Sequence, residues 1–305
     1  MIDTPAAIDQ FRTAAEARAL LLPDRLTIGL LPGGTLPRCD VAGGKGKRDG
    51  AYLLHLDGIP AGGFQNWRDG LGWEDWRTDI GRRLTPDEEA AHRAKVEAMN
   101  KARAEEERAR RDKARKRAEA LWKAAQPPAG DDHPYLRAKG VRAHGVRIGT
   151  WLKYHRDEAA GRWTETEIPG ALLIPMRDAA GVLRSLQAIY PQPIDGRNKD
   201  FLPGGQTAGC FHQIGELTEG GPLCIAEGYA TAATIHEASG WPVAVAFDCH
   251  KLAAVARALR QQYPALPMIV CGDDDISNPN NPGRTHAIAA AQEVGAAVAL
   301  PEFGA

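Results

Sequence analysis

An α/β fold built on a mostly parallel sheet is predicted for the C-terminal third of this chain, and three observations predict it. Two apolar runs, Leu223-Cys-Ile-Ala226 and Pro267-Met-Ile-Val-Cys271, are short, bounded by turn signals and followed by helical patterns. Runs of that kind read as buried parallel strands feeding crossover helices. A carboxylate follows each of them: Glu227-Gly228 after the first, and Asp273-Asp274-Asp275 just past the second. Acids at the carboxyl ends of such strands gather in the crevice where open α/β sheets bind ligands.

Residues 1–82 read as a small β-containing N-terminal domain. Ile8–Leu22 has the pattern of one helix. Ala51–Asp57 reads as a strand ending in an Asp-Gly turn, with Gly63–Trp67 as its antiparallel partner. Gly43-Gly-Lys45-Gly-Lys47 is a basic, glycine-rich turn, and Trp67, Arg68, Trp73 and Trp76 lie close together. Aromatic faces beside basic groups suit a single-stranded nucleic acid, because bases stack and phosphates pair. The same tryptophans serve equally well as the core of a small domain.

Residues 83–126 read as one long charged helix. Thr85 caps it, Pro86 occupies the first turn, acids follow, and Pro127-Pro128 stops it. Few apolar residues recur at helical spacing in its middle, so an exposed helix is expected there. The basic stretch Arg108–Arg117 reads as a solvated face, with nucleic-acid phosphates as the alternative partner. Residues 127–215 read as a small α+β subdomain. Ala171–Arg177 and Leu183–Tyr190 form a predicted hairpin about the turn Asp178–Gly181, followed by the basic, glycine-rich turn Gly196–Gly205. Residues 216–305 follow a β-α-β-α-β-α-β order. Val243–Phe247 and Ala296–Leu300 supply the remaining strands, and Tyr229–Ser239, Lys251–Gln262 and Arg284–Val294 the helices. Asp248, between a strand and a helix, reads as that helix's cap, with a place near the metal crevice as the alternative.

The acids carry the chemistry. Alternation along a strand sets Asp273 and Asp275 on one side and turns Asp274 away. Two carboxylates so close repel unless a cation lies between them. Mg²⁺ suits the place, since it takes one or two carboxylates and completes its shell with water and substrate phosphate. Glu227, from another strand end, is positioned to bind the same ion or to accept a proton from an attacking hydroxyl.

Over Pro222–Pro301 the Glu227-Gly228 turn, the Asp273-x-Asp275 pair and the repeating βαβ order resemble a Toprim domain. That module is shared by bacterial-type (DnaG-like) DNA primases, topoisomerases and certain nucleases, and Ala226-Glu-Gly-Tyr229 is nearest the primase version. The loop Ile276–Gly283 is longer than the family's usual connection. The resemblance implies Mg²⁺-dependent synthesis of short RNA primers from ribonucleoside triphosphates on a single-stranded DNA template, during replication of a phage, plasmid or mobile element. Mn²⁺ is the alternative ion, and a replicative helicase a candidate partner. By the same resemblance Asp273 and Asp275 hold the metal, Glu227 binds it or deprotonates the 3′-hydroxyl, and Lys199, Arg184 and Arg197 contact phosphate. Residues 1–82 resemble in outline the zinc ribbon of those primases without its ligands: Pro32-Gly-Gly and Gly63-Phe-Gln-Asn stand where cysteines belong. That leaves Trp67, Arg68, Trp73, Trp76, Lys45 and Lys47 as the candidate template contacts. Two rivals share the motifs: a Toprim nuclease that cleaves DNA, and a non-catalytic single-stranded-DNA-binding adaptor.

Composition narrows the field. With 38 basic and 39 acidic side chains and a formal net charge of −1, a uniformly basic nucleic-acid coat is excluded. No apolar run approaches membrane-spanning length, and the first residues lack the features of a signal peptide, so a cytoplasmic protein with no membrane partner is expected. Five scattered cysteines without a C-x-x-C spacing point to reduced thiols and no structural zinc. Cys249-His250 is set aside as a metal motif because no second Cys/His pair accompanies it. The absence of GxxxxGK[ST] excludes an attached helicase motor.

Overall fold

The computed structural model describes residues 4–31, 35–44, 46–79, 81, 85–128, 130–157, 162–194, 196–217, 220–274, 278 and 280–301; of residues 88, 92, 95, 99, 155–157, 162 and 163 it describes the backbone alone. Two compact units divide the chain, Met1–Arg103 and Ala104–Ala305.

In the first unit a helix, α1 (Thr4–Ala17), is followed by five antiparallel strands in sequential order: β1 (Leu20–Leu21), β2 (Arg38–Val41), β3 (Gly50–His55), β4 (Ala61–Asn66) and β5 (Trp73–Arg77). The expected helix over Ile8–Leu22 is corrected here. Ala19 takes a left-handed φ of 61°, which ends helical geometry, and Leu20 is buried in a strand paired with Val41. Phe11 and Ala15 of α1 pack with Tyr52, Leu54 and Phe64 on one face of the sheet. Gly63 is required on the other face, because the Trp73 ring lies within 2.6 Å of where a Cβ would stand.

A 39-residue helix, α2 (Pro86–Ala124), leads on to the second unit. Its described side chains through Lys113 are exposed, as expected, but its last turns are partly buried. Ala114 and Ala118 are buried against Trp151, Leu173 and Leu186. Methyl-sized side chains one turn apart give the helix a flat seat that hydrophobic periodicity does not reveal.

That seat rests on a four-stranded antiparallel sheet in sequential order: β6 (Arg147–Asp157), β7 (Arg162–Arg177), β8 (Leu183–Ile194) and β9 (Arg197–Phe201). A short helix, α3 (Pro134–Lys139), precedes it, capped by His133 Nδ1, which accepts from the Tyr135 amide. The expected hairpin is present in β7 and β8, and alternation divides its side chains. Leu173, Leu186, Ala188 and Tyr190 face α2, while Leu172, Ile174, Met176 and Ile189 enter a second core.

That core continues into the second sheet: β10 (His212–Ile214), β11 (Leu223–Ala226), β12 (Val243–Val245), β13 (Met268–Cys271) and β14 (Ala297–Ala299), in spatial order β10-β12-β11-β13-β14. Strands β11 to β14 are parallel to their neighbours, and β10 is an antiparallel edge on β12. The fold of this unit is thus mixed α/β, with one antiparallel and one mixed sheet. Helix α4 (Tyr229–Ser239) covers the face shared with that second core. Helices α5 (Leu252–Gln262) and α6 (Pro282–Val294) cover the other, where Ile225 and Val270 pack with Val255, Leu259, Ala287 and Ala290. Burying each such aliphatic side chain contributes about 1.5–3 kcal/mol. Among the described residues no helix is long and apolar enough to cross a membrane.

Candidate functional site

Strand β11 is central, with β12 on one side and β13 on the other, and the helices that follow β11 and β13 leave for opposite faces. A crevice opens at the carboxyl ends of strands arranged in this way. Ala226 and Cys271 are register partners, so Glu227 and Gly272 come next on neighbouring strands about 4.8 Å apart. Asp273 follows at once. Its Oδ1 lies 3.5 Å from the Thr231 Oγ1 donor, on the first turn of the helix that Glu227-Gly228 opens.

The strand argument for the acids needs one correction. β13 ends at Cys271, so strand alternation does not set their directions. Asp274 does turn elsewhere: its Oδ1 accepts from the side chain of Asn281, the N-cap of α6. Asp275 lies outside the described residues, as do Ile276, Ser277 and Pro279 of the loop that follows it. Asp248 also departs from expectation. It occupies the N-cap position of a single 3₁₀ turn, Cys249–Lys251, yet makes no side-chain cap bond and pairs instead with the Lys251 ammonium. Its Oδ1 is buried without a hydrogen-bond partner among the described residues. The preceding residue, Phe247, is buried with a left-handed φ of 76°, a conformation that costs a bulky side chain about 1–3 kcal/mol. Backbone strain therefore sits where the chain turns Asp248 and Cys249 out of β12.

The basic residues divide sharply. Asp200 accepts from Trp151 Nε1 (3.2 Å) and Tyr190 OH (3.1 Å) on the α2 side of the sheet. Alternation along β9 then sends Lys199 to the opposite side, 5.8 Å from the centre of the Tyr135 ring. Lys199 is open to solvent along its length, yet the protein packed about its ammonium lowers the pKa, and Lys139 adds like-charge repulsion. Glu227 and Asp273 act in the opposite direction. Both acids are thus within electrostatic range of Lys199. Arg197, exposed, shares its face of β9. Arg184 is elsewhere, held by Asp178 at 2.6 Å across the β7–β8 turn. It lies five residues along β8 from Ile189, the register partner of Lys199, or about 17 Å. Lys251, which sequence reasoning had used only as a helix start, approaches the Phe201 ring at 4.2 Å and brings a second cation to this side.

The residues present suit a hard cation. Glu227, Asp248 and Asp273 offer carboxylate oxygen alone, and the buried Asp248 Oδ1 is an acceptor with no donor among the described residues. One or two such groups suffice for Mg²⁺. Among the described residues these three do not form a tight cluster of ligand atoms; the group that does is Cys249, His250 and His286. Sequence reasoning missed it because His286 lies on α6, far along the chain. Burial raises the Cys249 thiol pKa, with Glu227 and Asp248 adding to the rise, so this group adjoins the acids.

In the first unit, Arg38, Ala51, Gln65 and Trp73 stand in one cross-strand row. Trp67 and Trp73 are exposed, the former under the Arg38 guanidinium at 3.9 Å. Arg68 and Lys47 are exposed nearby in sequence, and Lys45 lies outside the described residues. Trp76, expected on the same surface, turns inward and meets the Phe11 ring edge-on at 5.0 Å.

Such a fold, with acids following adjacent parallel strands, defines a mixed α/β protein with an acidic crevice at the carboxyl edge of its sheet. No family model matches the chain. It is similar to DNA primase TraC of Escherichia coli, 37% identical over 268 residues that make up 85% of this chain and 23% of that protein. A second Escherichia coli DNA primase TraC is 36% identical over 275 residues, 87% of this chain and 17% of the relative. The chain thus spans about a fifth of the length of the curated relatives it matches. Among solved structures, the DnaG primase catalytic domain bound to ssDNA overlaps 65% of this chain and 76% of its own, with a TM-score of 0.42 and 13% identity. The Aquifex aeolicus primase (zinc-binding and RNA polymerase domains) overlaps 55% and 48%, with a TM-score of 0.40 and 14% identity.

Proposed function

We propose that this chain is a DNA primase that makes short RNA primers on single-stranded DNA, in the replication of a plasmid or related mobile element. The observation that carries this reading is the pair Glu227 and Asp273 just past the ends of neighbouring parallel strands, in a chain of which 85% aligns with a DNA primase. On this reading residues 216–305 are a Toprim domain, 127–215 the subdomain ahead of it, 83–126 a helical connector, and 1–82 the module that meets the template through Trp67, Trp73 and their basic neighbours.

Asp273 and Asp275 would hold Mg²⁺, with Glu227 in reach. The ion supplies charge neutralisation on a nucleoside triphosphate and orients it for in-line displacement. Glu227 takes the proton of the attacking 3′-hydroxyl, Lys199 offsets charge on the phosphates, and Arg197 extends that positive edge. Asp248 and Lys251 follow β12, the strand on the other side of β11 from Asp273. A helicase partner belongs to the same proposal.

The test is primer synthesis on oligonucleotide templates with Mg²⁺ and labelled ribonucleotides. Glu227→Gln should lower the rate by about 10²–10⁴-fold with unchanged circular dichroism, as loss of a general base does. Asp273→Asn should do at least as much. Full activity in both variants overturns the assignment, and template cleavage without nucleotides would move it to a nuclease.

A further inference from the structure

We propose that Cys249, His250 and His286 form a transition-metal site, selective for Zn²⁺-like ions, distinct from the carboxylates assigned to Mg²⁺. The thiol and the two imidazoles come from different elements. Cys249 and His250 open the 3₁₀ turn after β12, and His286 stands in the second turn of α6. One ligand atom from each lies within 4.8 Å of the others. The two rings meet edge-on with centroids 4.5 Å apart.

Three features favour an ion over mere packing. The donor set is one sulfur and two nitrogens, which a borderline-soft divalent ion prefers and Mg²⁺ does not. The spacing is near that of a tetrahedral site: bonds of about 2.0–2.3 Å imply ligand atoms roughly 3.3–3.8 Å apart, within reach of small rotamer changes. Access comes from the imidazole side, since His250 is exposed and His286 half-buried, while the Cys249 thiol lies deeper. Three protein ligands leave a fourth position for water or a phosphate oxygen. Bound there, the ion ties the turn that carries Asp248 to α6. This inference is independent of the primase reading.

The experiment uses the full chain, stripped with chelator under reductant and titrated with Co²⁺ alone. One equivalent should produce the thiolate-to-cobalt charge-transfer band and the visible bands of a tetrahedral ion. Zn²⁺ should abolish them stoichiometrically, and millimolar Mg²⁺ should leave them in place. Cys249→Ser should remove the charge-transfer band, and His286→Ala should weaken binding by about tenfold or more. His250→Ala, at an exposed position where folding is not at stake, should weaken it similarly. No thiolate band in the wild type, or a band that survives Cys249→Ser, overturns the proposal.

Discussion

Lys199 and Arg184, both positive and both within the same antiparallel sheet, are in opposite electrostatic situations. Lys199 lies within the electrostatic influence of two acids, whereas the Arg184 guanidinium is held by Asp178. Substituting Lys199 by alanine should therefore lower kcat/KM for nucleotide by about 10–100-fold, as losing one charge-assisted contact to phosphate does. Arg184→Ala should cost less than tenfold and show its effect in hairpin stability. Equal losses in primer synthesis would contradict this ordering. The position of Glu227 and Asp273 just past neighbouring strands was legible in the sequence, because each follows a short apolar run bounded by turn residues. The division between Lys199 and Arg184 was not, since it depends on Asp200 being gripped by Tyr190 from the neighbouring strand and by Trp151 from the far edge of the sheet.

At the level of elements, the tightest joint near the acids is that of β13 with α6. A Cβ on Gly272 would stand 2.5 Å from the Ala287 Cβ and 2.9 Å from Leu300 Cδ2. Gly272→Ala should destabilise by about 1–3 kcal/mol, measured by urea unfolding, and displace Asp273 with a matching fall in synthesis. An unaltered denaturation midpoint would show that the joint has slack. The four parallel strands and their helices were legible from apolar runs and turn residues. Strand β10 was not: His212-Gln-Ile is three residues long, and only its pairing with β12 makes it a strand. The seat of α2 escaped notice for a related reason, because alanines at 114 and 118 carry little hydrophobic signal.

For the second unit as a whole, one buried imidazole sets an acid limit. Burial pushes His212 down to about 4 from 6.5, although the His144 carbonyl, accepting at 2.7 Å, works against the shift. The folded value is the lower one, so the unfolded chain takes up the proton first. The stabilisation is complete above pH 6.5 and is lost as pH falls towards 4. It amounts to about 2 kcal/mol between pH 7 and pH 5. Urea midpoints at those two pH values should converge in His212→Gln, and an equally steep dependence in the variant would place the titration elsewhere.

β10 has a practical consequence. It comes from chain ahead of residue 216 and seals the flank of β12, so a gene trimmed to begin there would express a sheet with one raw border. That truncated product should stick to its own copies and sediment as heterogeneous aggregate, whereas one begun at residue 104 should stay monodisperse. The three residues of that strip decide where this protein can be cut.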